Sequence, residues 1–370
     1  MEQINSDLFN ILAWYVMNDH TANYWHRLAN GKIQCDICPR ECSLKDGQRG
    51  LCFVRQRMGN EMELLTYGRS SGFCIDPVEK KPLNHFYPST PVLSFGTAGC
   101  NLSCKFCQNW DISKSREFDR LTENASPESI AQAAVRENCK SVALTYNDPV
   151  IFLEYGKDVA DACHKKGIQV IAVTNGYIHK QAREDFFSFV DAANVDLKAF
   201  SEKFYQSLTG GDLKTVLETL KYIKHKTGVW LEITTLLIPG ENDSEIEIKE
   251  LCHWILNELG PDVPIHFSAF HPDFKMVNIA ATPLETLIKA REIALDMGLY
   301  YVYTGNVFYT PGDTTYCHNC GEVLIKREWY QLTGYHLSAE GYCQNCGSKL
   351  AGCFDKAPGS WGSKRKPIRI

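Results

Sequence analysis

The sequence of 370 residues contains no long apolar run and no large excess of charge of either sign. A transmembrane helix needs about 20 consecutive apolar residues, so no membrane partner is expected. The formal net charge of −5 creates no strong field toward nucleic acid, and no nucleic-acid partner is expected. The first residues lack the basic start of a signal peptide, which predicts a cytoplasmic protein.

Low-complexity tracts, long linkers and internal repeats are also absent from the sequence. Their absence argues against repeat arrays and extended disordered segments. Apolar residues make up 44% of the chain and charged residues 22%, which is typical of a globular protein with one large domain and small appendages. The basic run from Lys364 to Arg369 is interpreted as a solvated tail.

Cysteine is plentiful, with sixteen residues in the chain. Most of them fall in local clusters, which in a reducing compartment indicates metal binding rather than disulfides. The clustered residues are Cys35, Cys38, Cys42, Cys52, Cys100, Cys104, Cys107, Cys317, Cys320, Cys343 and Cys346. The others, Cys74, Cys139, Cys163, Cys252 and Cys353, are predicted to be ordinary buried thiols.

Strand-like apolar runs alternate with helical patterns through the middle of the chain. The predicted strands are Val92 to Gly96, Ser141 to Thr145, Gln169 to Thr174, Asn194 to Lys198, Trp230 to Thr235, Pro264 to Ser268 and Leu299 to Thr304. Strand-helix alternation with right-handed crossovers predicts an α/β fold, a partial (β/α)6-type barrel resembling a TIM barrel. The active site is then expected at the carboxyl ends of the strands.

Local signals place helix ends and domain boundaries. Ser126 and Pro127 are typical of a helix start, Thr282 with Glu285 predicts a capping box, and Gly298 marks a helix end. A helix is also predicted from about Ser6 to Asn30. The expected domains are an N-terminal helical and Cys-rich module (1–66), the partial barrel (67–310), and a C-terminal zinc-ribbon-like module with the basic tail (311–370).

The loop after the first predicted strand carries Cys100, Cys104 and Cys107 in a C-x3-C-x2-C pattern, and we call it the Cys100 loop (residues 100–107). Three thiolates this close can hold three irons of a 4Fe-4S cluster and leave the fourth iron open. An open iron can bind S-adenosylmethionine and reduce its sulfonium. A zinc site completed by a distant residue is the alternative. Phe106 in the loop either packs against adenine or belongs to the core.

Polar residues follow the other predicted strands. Asp148 can hold a ligand ammonium or cap a helix through its carboxylate. Asn175 lies in a Gly-containing turn that suits close backbone approach or helix entry. Asp196 and Lys198, two residues apart, share one strand face and either hold a ligand or form an internal salt bridge. His271, and similarly Asn306, is a candidate by position alone. No catalytic residue is assigned.

These residues together resemble the radical S-adenosylmethionine superfamily, in the branch that contains pyruvate formate-lyase activating enzyme. The Cys100 loop matches the cluster motif of that family, Asp196 and Lys198 match its Asp-x-Lys, and His271 falls on its late-strand His. Asp148 stands in the place of a Gly-Gly-Glu-Pro glutamate, but Tyr146 and Asn147 replace the two glycines. The resemblance implies a 4Fe-4S cluster, a reductant protein and S-adenosylmethionine contacts at the matching positions.

A longer string from Asp76 to Pro88, together with Cys104 to Trp110, resembles the subgroup called the AmmeMemoRadiSam system radical enzymes. That resemblance implies Memo-like and AMMECR-like partner proteins. It does not identify the substrate, which can itself be a protein.

Two further cysteine groups flank the predicted barrel. Cys317, Cys320, Cys343 and Cys346 form two C-x2-C-Gly knuckles around a β-rich insert, which favours one zinc ion over an auxiliary cluster. Cys35, Cys38, Cys42 and Cys52 can hold zinc or a second cluster, or bind no metal.

The function predicted from the sequence is reductive cleavage of S-adenosylmethionine followed by hydrogen abstraction from an unknown substrate. Activation of a glycyl-radical enzyme is a narrower alternative. The second alternative is a non-enzymatic zinc-ribbon adaptor that uses the barrel as a scaffold, although that role leaves the charges at the strand ends unexplained.

Overall fold

The structure is a computed structural model and describes residues 20–114 and 123–370. The strands are β1 (Trp25–Arg27), β2 (Ile33–Cys35), β3 (Ser43–Leu44), β4 (Arg55–Met58), β5 (Glu61–Leu64), β6 (Arg69–Ser70), β7 (Phe73–Pro77), β8 (Pro91–Phe95), β9 (Glu123–Asn124), β10 (Ser141–Leu144), β11 (Gln169–Thr174), β12 (Ala192–Asp196), β13 (Trp230–Leu237), β14 (Ile265–Ala269), β15 (Val302–Gly305), β16 (Thr315–Tyr316), β17 (Val323–Glu328), β18 (Gln331–Tyr335) and β19 (Lys366–Ile368). The α-helices are α1 (Trp110–Ser113), α2 (Pro127–Arg136), α3 (Leu153–His164), α4 (Lys180–Phe186), α5 (Glu202–Phe204), α6 (Leu213–Lys226), α7 (Glu245–Glu258), α8 (Leu284–Asp296) and α9 (Thr310–Asp313). Two 3-10 turns cover Val78–Lys80 and Pro149–Phe152, and a π-helical turn covers Tyr205–Thr209.

An open sheet forms the centre of the molecule, in the order β15-β14-β13-β12-β11-β10-β8-β7-β19. The seven strands from β8 to β15 in this sheet pair in parallel. These are the seven strands predicted from the sequence, so that prediction and the α/β fold are confirmed. Strands such as β10 are buried along their whole length because helices cover the sheet. Parallel pairing brings all seven carboxyl ends to one edge.

The basic tail extends this sheet. The strand β7 pairs antiparallel with β8, and β19 pairs antiparallel with β7. The side chains of the tail are mostly solvated, as predicted, but the backbone of Lys366–Ile368 forms a strand. The edge of β7 offers unpaired backbone groups, and β19 satisfies them while its own side chains stay mostly exposed.

Helix boundaries follow the predicted signals with one exception. The hydroxyl of Ser126 accepts a hydrogen bond from the Ser129 amide at the start of α2, and Gly298 follows α8 with φ at +106°. The predicted capping box at Thr282 is wrong because Pro283 is the N-cap of α8. The Thr282 hydroxyl instead accepts from the Phe270 amide and donates to the Leu237 carbonyl, which ties α8 to the sheet.

The N-terminal part of the predicted helix from Ser6 to Asn30, up to residue 19, lies outside the described residues. Its remainder is wrong, since Trp25–Arg27 forms a strand that pairs with Ile33–Cys35. The cause is the Asn30-Gly31 turn, in which Gly31 takes φ at +78° and reverses the chain into a hairpin. This hairpin begins the Cys-rich module.

A three-stranded antiparallel sheet, β16-β17-β18, follows the last parallel strand. It has a small core of its own that joins Tyr301 and Tyr303 to Leu324, Ile325 and Cys317. The hairpin of β17 and β18 lies between the two cysteine knuckles, as the β-rich insert predicted. Across residues 20–114 and 123–370, no helix is long and apolar enough to cross a membrane.

Candidate functional site

A cavity of about 460 Å³ opens at the carboxyl edge of the parallel sheet. Every parallel strand contributes to its lining, either through its last residues or through the loop that follows. The lining includes Cys100, Cys104, Cys107, Asp148, Asn175, Asp196, Lys198, Thr234, His266, Thr304 and Asn306. The cavity therefore brings together most of the side chains that were selected at the ends of the predicted parallel strands.

The Cys100 loop places three thiols on the cavity wall. Cys104 is buried, while Cys100 and Cys107 are half-buried. Burial, followed by the nearby carboxylate of Asp148, raises the pKa of Cys100 to about 12. Burial also raises the pKa of Cys104. Such thiols stay protonated unless a metal centre draws the proton away, so their chemistry fits metal-bound sulfur rather than a free nucleophile.

The three thiols are spread more widely than a single metal ion requires. Within the described ranges, only Cys317, Cys320, Cys343 and Cys346 bring three or more candidate ligand atoms within 4.8 Å of one another. The three sulfurs of the Cys100 loop do not meet this 4.8 Å limit. Their wider separation disfavours the single zinc ion considered above. Three separated thiols beside a polar cavity fit a 4Fe-4S cluster with one open iron.

The backbone before the loop requires glycine. Gly99 has φ at +82°, and a Cβ there would lie 1.9 Å from the carbonyl oxygen of Cys52. The Cys-rich module therefore packs directly against the residue that precedes Cys100. A second tie is the hydrogen bond that the Arg40 guanidinium donates to the Asn101 carbonyl, at 2.9 Å.

Asp148 has an observed structural role at the end of β10. Its carboxylate accepts hydrogen bonds from the amides of Val150 (2.9 Å) and Asn175 (2.8 Å) and from the hydroxyl of Thr174. It thus caps the 3-10 turn at Pro149–Phe152 and lines the cavity at the same time. Burial raises its pKa to about 6, against the opposing effect of these hydrogen bonds.

Asn175 holds the Cys100 loop to the end of β11. Its side-chain amide donates to the Asn101 side chain at 3.1 Å, and its oxygen accepts from the Tyr177 amide at 2.9 Å. Gly176, the next residue, has φ at +67°, so the turn needs glycine for its backbone.

Asp196 and Lys198 form a salt bridge of 2.9 Å at the end of β12. Burial opposes the charge on Lys198, but Asp196 and then Cys104 hold its pKa above the ordinary value. The salt bridge predicted as one alternative is present. Both partners also line the cavity, so the pair remains accessible to a ligand there.

Phe106 is buried and packs against Phe204, with ring centroids 5.7 Å apart, and it also lines the cavity. Asn306 lines the cavity and donates to the Ala269 carbonyl at 3.1 Å. His271 lies elsewhere, exposed on the loop after β14 and outside the cavity lining. The histidine that reaches the cavity is His266, five residues earlier, and it was missed in the sequence.

His266 is buried and contacts the carboxylate of Glu232 at 2.7 Å. Glu232 also accepts from the backbone amides of Asn84 and His85, so the pair anchors the Asp76 to Pro88 segment to the sheet. A signal was available, since both residues are ionisable groups inside apolar strands. Buried ionisable groups of this kind are paired or serve a site.

The Asp76 to Pro88 segment and β17 form the far wall of the cavity. Asp76 pairs with Lys80 at 3.0 Å and with Lys81 at 2.9 Å. From β17, Arg327 donates to Glu79 at 3.4 Å and to the Asn84 carbonyl at 2.7 Å. Sequence reasoning missed Arg327 because nothing local distinguishes it from its exposed neighbours on the same strand.

Replacing Arg327 by methionine should lower the free energy of unfolding by about 3 to 5 kcal/mol, because Glu79 keeps a buried carboxylate without its cation. Glu79 and Arg327 have side chains only 2% and 1% exposed. Urea denaturation measures the change, and the adjacent exposed Lys326→Met is the matched control. Adding Glu79→Gln to the Arg327 variant should restore part of the loss. If the single variant loses less than about 1 kcal/mol of unfolding free energy, Arg327 and Glu79 do not form a buried ion pair of this kind.

Several lining oxygens are buried without a partner. Among the described residues, these atoms include the Thr234 and Thr304 hydroxyls, Oε2 of Glu79 and Oδ2 of Asp313. Buried polar atoms of this kind are costly unless something bonds to them. All four residues line the cavity. This side of the cavity is therefore suited to a ligand that carries hydrogen-bond donors.

Asp313 should make the stability of the protein pH-dependent, because burial raises its pKa to about 7 even though Arg327 opposes the shift. Because the folded protein favours the protonated carboxyl, Asp313 contributes its full stabilisation below its ordinary pKa near 3.8. This stabilisation is lost as the pH rises through 7. Relative to wild type, Asp313→Asn should gain about 2 kcal/mol between pH 4 and pH 8, after allowance for partial exposure. Urea denaturation of both proteins across this range measures the gain, and a constant difference would refute it.

The C-terminal cysteines form the compact set. The sulfurs of Cys317 and Cys346 are 3.5 Å apart, and those of Cys320 and Cys343 are 3.8 Å apart. Four sulfurs bound to one zinc ion at about 2.3 Å would be separated by about 3.8 Å. The four residues thus fit one tetrahedral ion. Cys353, in the same segment, is not in this set.

The chain is similar to several known proteins. The Radical SAM superfamily matches residues 95–252. An uncharacterized protein of Methanocaldococcus jannaschii is 39% identical over 330 residues, which cover 89% of this chain and 98% of that protein. Pyruvate formate-lyase 1-activating enzyme of Escherichia coli is 25% identical over 154 residues, which cover 40% of this chain and 61% of that enzyme. A crystallised domain of pyruvate-formate lyase-activating enzyme from Bacteroides vulgatus matches with a TM-score of 0.40 at 19% identity, covering 45% of this chain and 99% of that domain.

A parallel sheet with three thiols at its carboxyl edge defines an α/β protein with a candidate iron-sulfur site. The chain belongs to the Radical SAM superfamily. Members of this superfamily are enzymes, and membership implies a 4Fe-4S cluster and S-adenosylmethionine as cofactors. Relatives of this chain include activating enzymes of pyruvate formate-lyase.

Proposed function

We propose that this protein cleaves S-adenosylmethionine reductively at a 4Fe-4S cluster on Cys100, Cys104 and Cys107, and then abstracts hydrogen from a substrate in the cavity. The observation that carries the proposal is that these thiols share one cavity with polar side chains from all seven parallel strand ends. When bound and reduced, the cluster supplies one electron to the sulfonium of S-adenosylmethionine, which yields the 5'-deoxyadenosyl radical.

The residues around the Cys100 loop have separate tasks in this proposal. Lys198 would face the methionine carboxylate, since its ammonium is buried at the cavity wall and only Asp196 neutralises it by direct contact among the described residues. Asp148 and the turn at Asn175 would position the loop and accept the methionine ammonium. Phe106 would pack beside adenine. His271 stays a prediction, although it lies outside the cavity lining.

The test is anaerobic reconstitution of the full chain with iron and sulfide, followed by reduction in the presence of S-adenosylmethionine. We expect 5'-deoxyadenosine and methionine in equal amounts. Protein carried through the same steps without iron is the control and should form neither product. If fully reconstituted wild type forms no 5'-deoxyadenosine, the proposed function is wrong.

Activation of a glycyl-radical enzyme is the narrower candidate, and the similarity to pyruvate formate-lyase 1-activating enzyme favours it. The chain spans only 61% of that enzyme and adds two cysteine groups around the shared part. An activase would leave a stable glycyl radical on its partner, which electron paramagnetic resonance detects. Retention of all deuterium by a candidate partner labelled at glycine would exclude that partner.

The remaining predictions belong to the same proposal. We propose a zinc ion on Cys317, Cys320, Cys343 and Cys346, and the division into residues 1–66, 67–310 and 311–370. The AmmeMemoRadiSam subgroup and its Memo-like and AMMECR-like partners rest on the resemblance of the Asp76 to Pro88 string. A reductant protein would supply the electron. A zinc-ribbon adaptor without enzymatic activity is the outcome if no 5'-deoxyadenosine forms.

A further inference from the structure

The Cys-rich module holds a second group of thiols away from the cavity. Cys35, Cys38 and Cys52 are buried and Cys42 is half-buried. Gly50 lies between two of them, and a Cβ there would come within 3.6 Å of the Cys42 sulfur and 3.7 Å of the Cys52 sulfur. Cys42 and Cys52 therefore flank Gly50, and the thiols of Cys35, Cys42 and Cys52 all lie near that of Cys38.

Backbone amides converge on these sulfurs. The Leu51 amide donates to Cys42 Sγ at 3.4 Å. The amides of Ile37, Arg40 and Val54, each two residues after a cysteine, favour the thiolate and oppose the rise in pKa that burial causes at Cys35, Cys38 and Cys52. Amides around each of four sulfurs are typical of metal-bound thiolates, whose ligand orientation and charge depend on such bonds. An unligated apolar thiol has no need of them.

The module has little regular secondary structure around these cysteines. The strands β2 and β3 have three and two residues. Arg55 is buried beside Cys35 and Cys52, but its guanidinium already pairs with Glu154 at 2.9 Å. Apolar side chains of the module, such as Ile33, Ile37 and Val54, are buried in the main core together with Cys35, Cys38 and Cys52. The cysteines are therefore enclosed by protein, as the ligands of a buried metal centre are.

The spread of the sulfurs distinguishes zinc from a cluster. Four thiolates on one zinc ion lie about 3.8 Å from each other. The C-terminal cysteines meet this condition, whereas no three of Cys35, Cys38, Cys42 and Cys52 lie within 4.8 Å of one another. Four thiolates that each bind a different iron of a cube are necessarily farther apart. The C-terminal sulfurs thus have the close spacing of ligands to a single ion. The N-terminal sulfurs have a wider spacing, which a cluster can accommodate and a single ion cannot.

We propose that Cys35, Cys38, Cys42 and Cys52 bind a second 4Fe-4S cluster. It has four thiolate ligands and no open iron, so it takes up or releases single electrons and does not bind S-adenosylmethionine. The site adjoins the first one, because the Cys52 backbone contacts Gly99 and the Arg40 side chain binds Asn101. The assignment does not depend on the proposed function, since it concerns different ligands.

The experiment removes the first site and counts what remains. The full-length variant Cys100→Ala/Cys104→Ala/Cys107→Ala is reconstituted anaerobically with iron and sulfide. We expect about four iron and four sulfide per chain, and a spectrum of a reduced cubane cluster in electron paramagnetic resonance. Adding Cys42→Ala should abolish or strongly reduce this cluster, whereas adding Cys139→Ala, a buried thiol in another part of the core, should leave it unchanged.

Iron near zero in the triple variant, or a second equivalent of zinc in its place, would overturn the proposal. So would four iron that persist after Cys42→Ala is combined with Cys38→Ala. If the triple variant does not fold, Cys42→Ala in the otherwise wild-type chain decides, because it should lower the count from about eight iron per chain to about four. Both measurements count iron and sulfide, so failure to form 5'-deoxyadenosine would not affect the result.

Discussion

Replacing Cys104 by alanine should reduce the formation of 5'-deoxyadenosine by about 10⁴-fold or more, to the background of the assay. The cluster would lose one of its three protein ligands, and a cube held by two thiolates has two irons without a protein ligand. No other cysteine can take the place of Cys104 as a ligand, because among the described residues only Cys100, Cys104 and Cys107 line this cavity. Cys104 is also buried close to Lys198.

The matched control is Cys252→Ala, which removes a fully buried thiol from α7, away from the cavity. It should keep wild-type activity and lose little stability. The measurement is 5'-deoxyadenosine per chain after reconstitution under reducing conditions, with iron content and the circular dichroism spectrum determined on the same samples. Wild-type yields from a folded Cys104→Ala protein would show that the cluster is held elsewhere.

Replacing Cys317 and Cys343 together should remove one zinc ion per chain and unfold the C-terminal sheet. Structural zinc binding is coupled to folding and contributes on the order of 10 kcal/mol in small domains. The small core around these cysteines contains Leu324, Ile325 and Leu350, too few apolar side chains to hold the segment alone. Loss of this sheet would also remove Arg327 from the cavity wall, so substrate binding should fail with it.

Zinc is measured by elemental analysis, and unfolding by limited proteolysis after residue 310. Cys353→Ala is the matched control, because Cys353 lies in the same segment and bonds to His85 and Tyr87 through its backbone. It should retain zinc and resist the protease. A double variant that keeps one equivalent of zinc, or a wild type that carries iron and sulfide at this site, would contradict the prediction.

The sequence was most reliable where the signal is local. The alternation of β-branched strands with capped helices predicted all seven parallel strands, since burial on both faces demands continuous apolar runs. The spacing of the cysteines alone predicted metal sites at the Cys100 loop and at the two C-terminal knuckles. Predictions that depended on distant partners were less reliable. The capping box at Thr282 is wrong because its hydroxyl bonds to Leu237 and Phe270, which no local pattern reveals.

The same limit explains the site residues that were missed. His271 was chosen for its place at a strand end, but the chain after β14 turns outward and leaves it exposed. His266 reaches the cavity because β14 lies next to β13, where Glu232 holds the imidazole. Arg327 comes from a segment more than 200 residues beyond the Cys100 loop. Only the packing of β17 against the Asp76 to Pro88 segment brings it to the wall.

The sequence by itself determined the parallel α/β core, the three thiols of the Cys100 loop and the presence of two more cysteine groups. These features depend on residue type and spacing over a few positions, and such local patterns are independent of how distant segments pack. Only the tertiary structure decided that the three thiols face Asp148, Asp196 and Lys198 across one cavity. It also distinguished the compact C-terminal set from the wider N-terminal one, because sulfur separations depend on how distant loops pack and not on spacing along the chain.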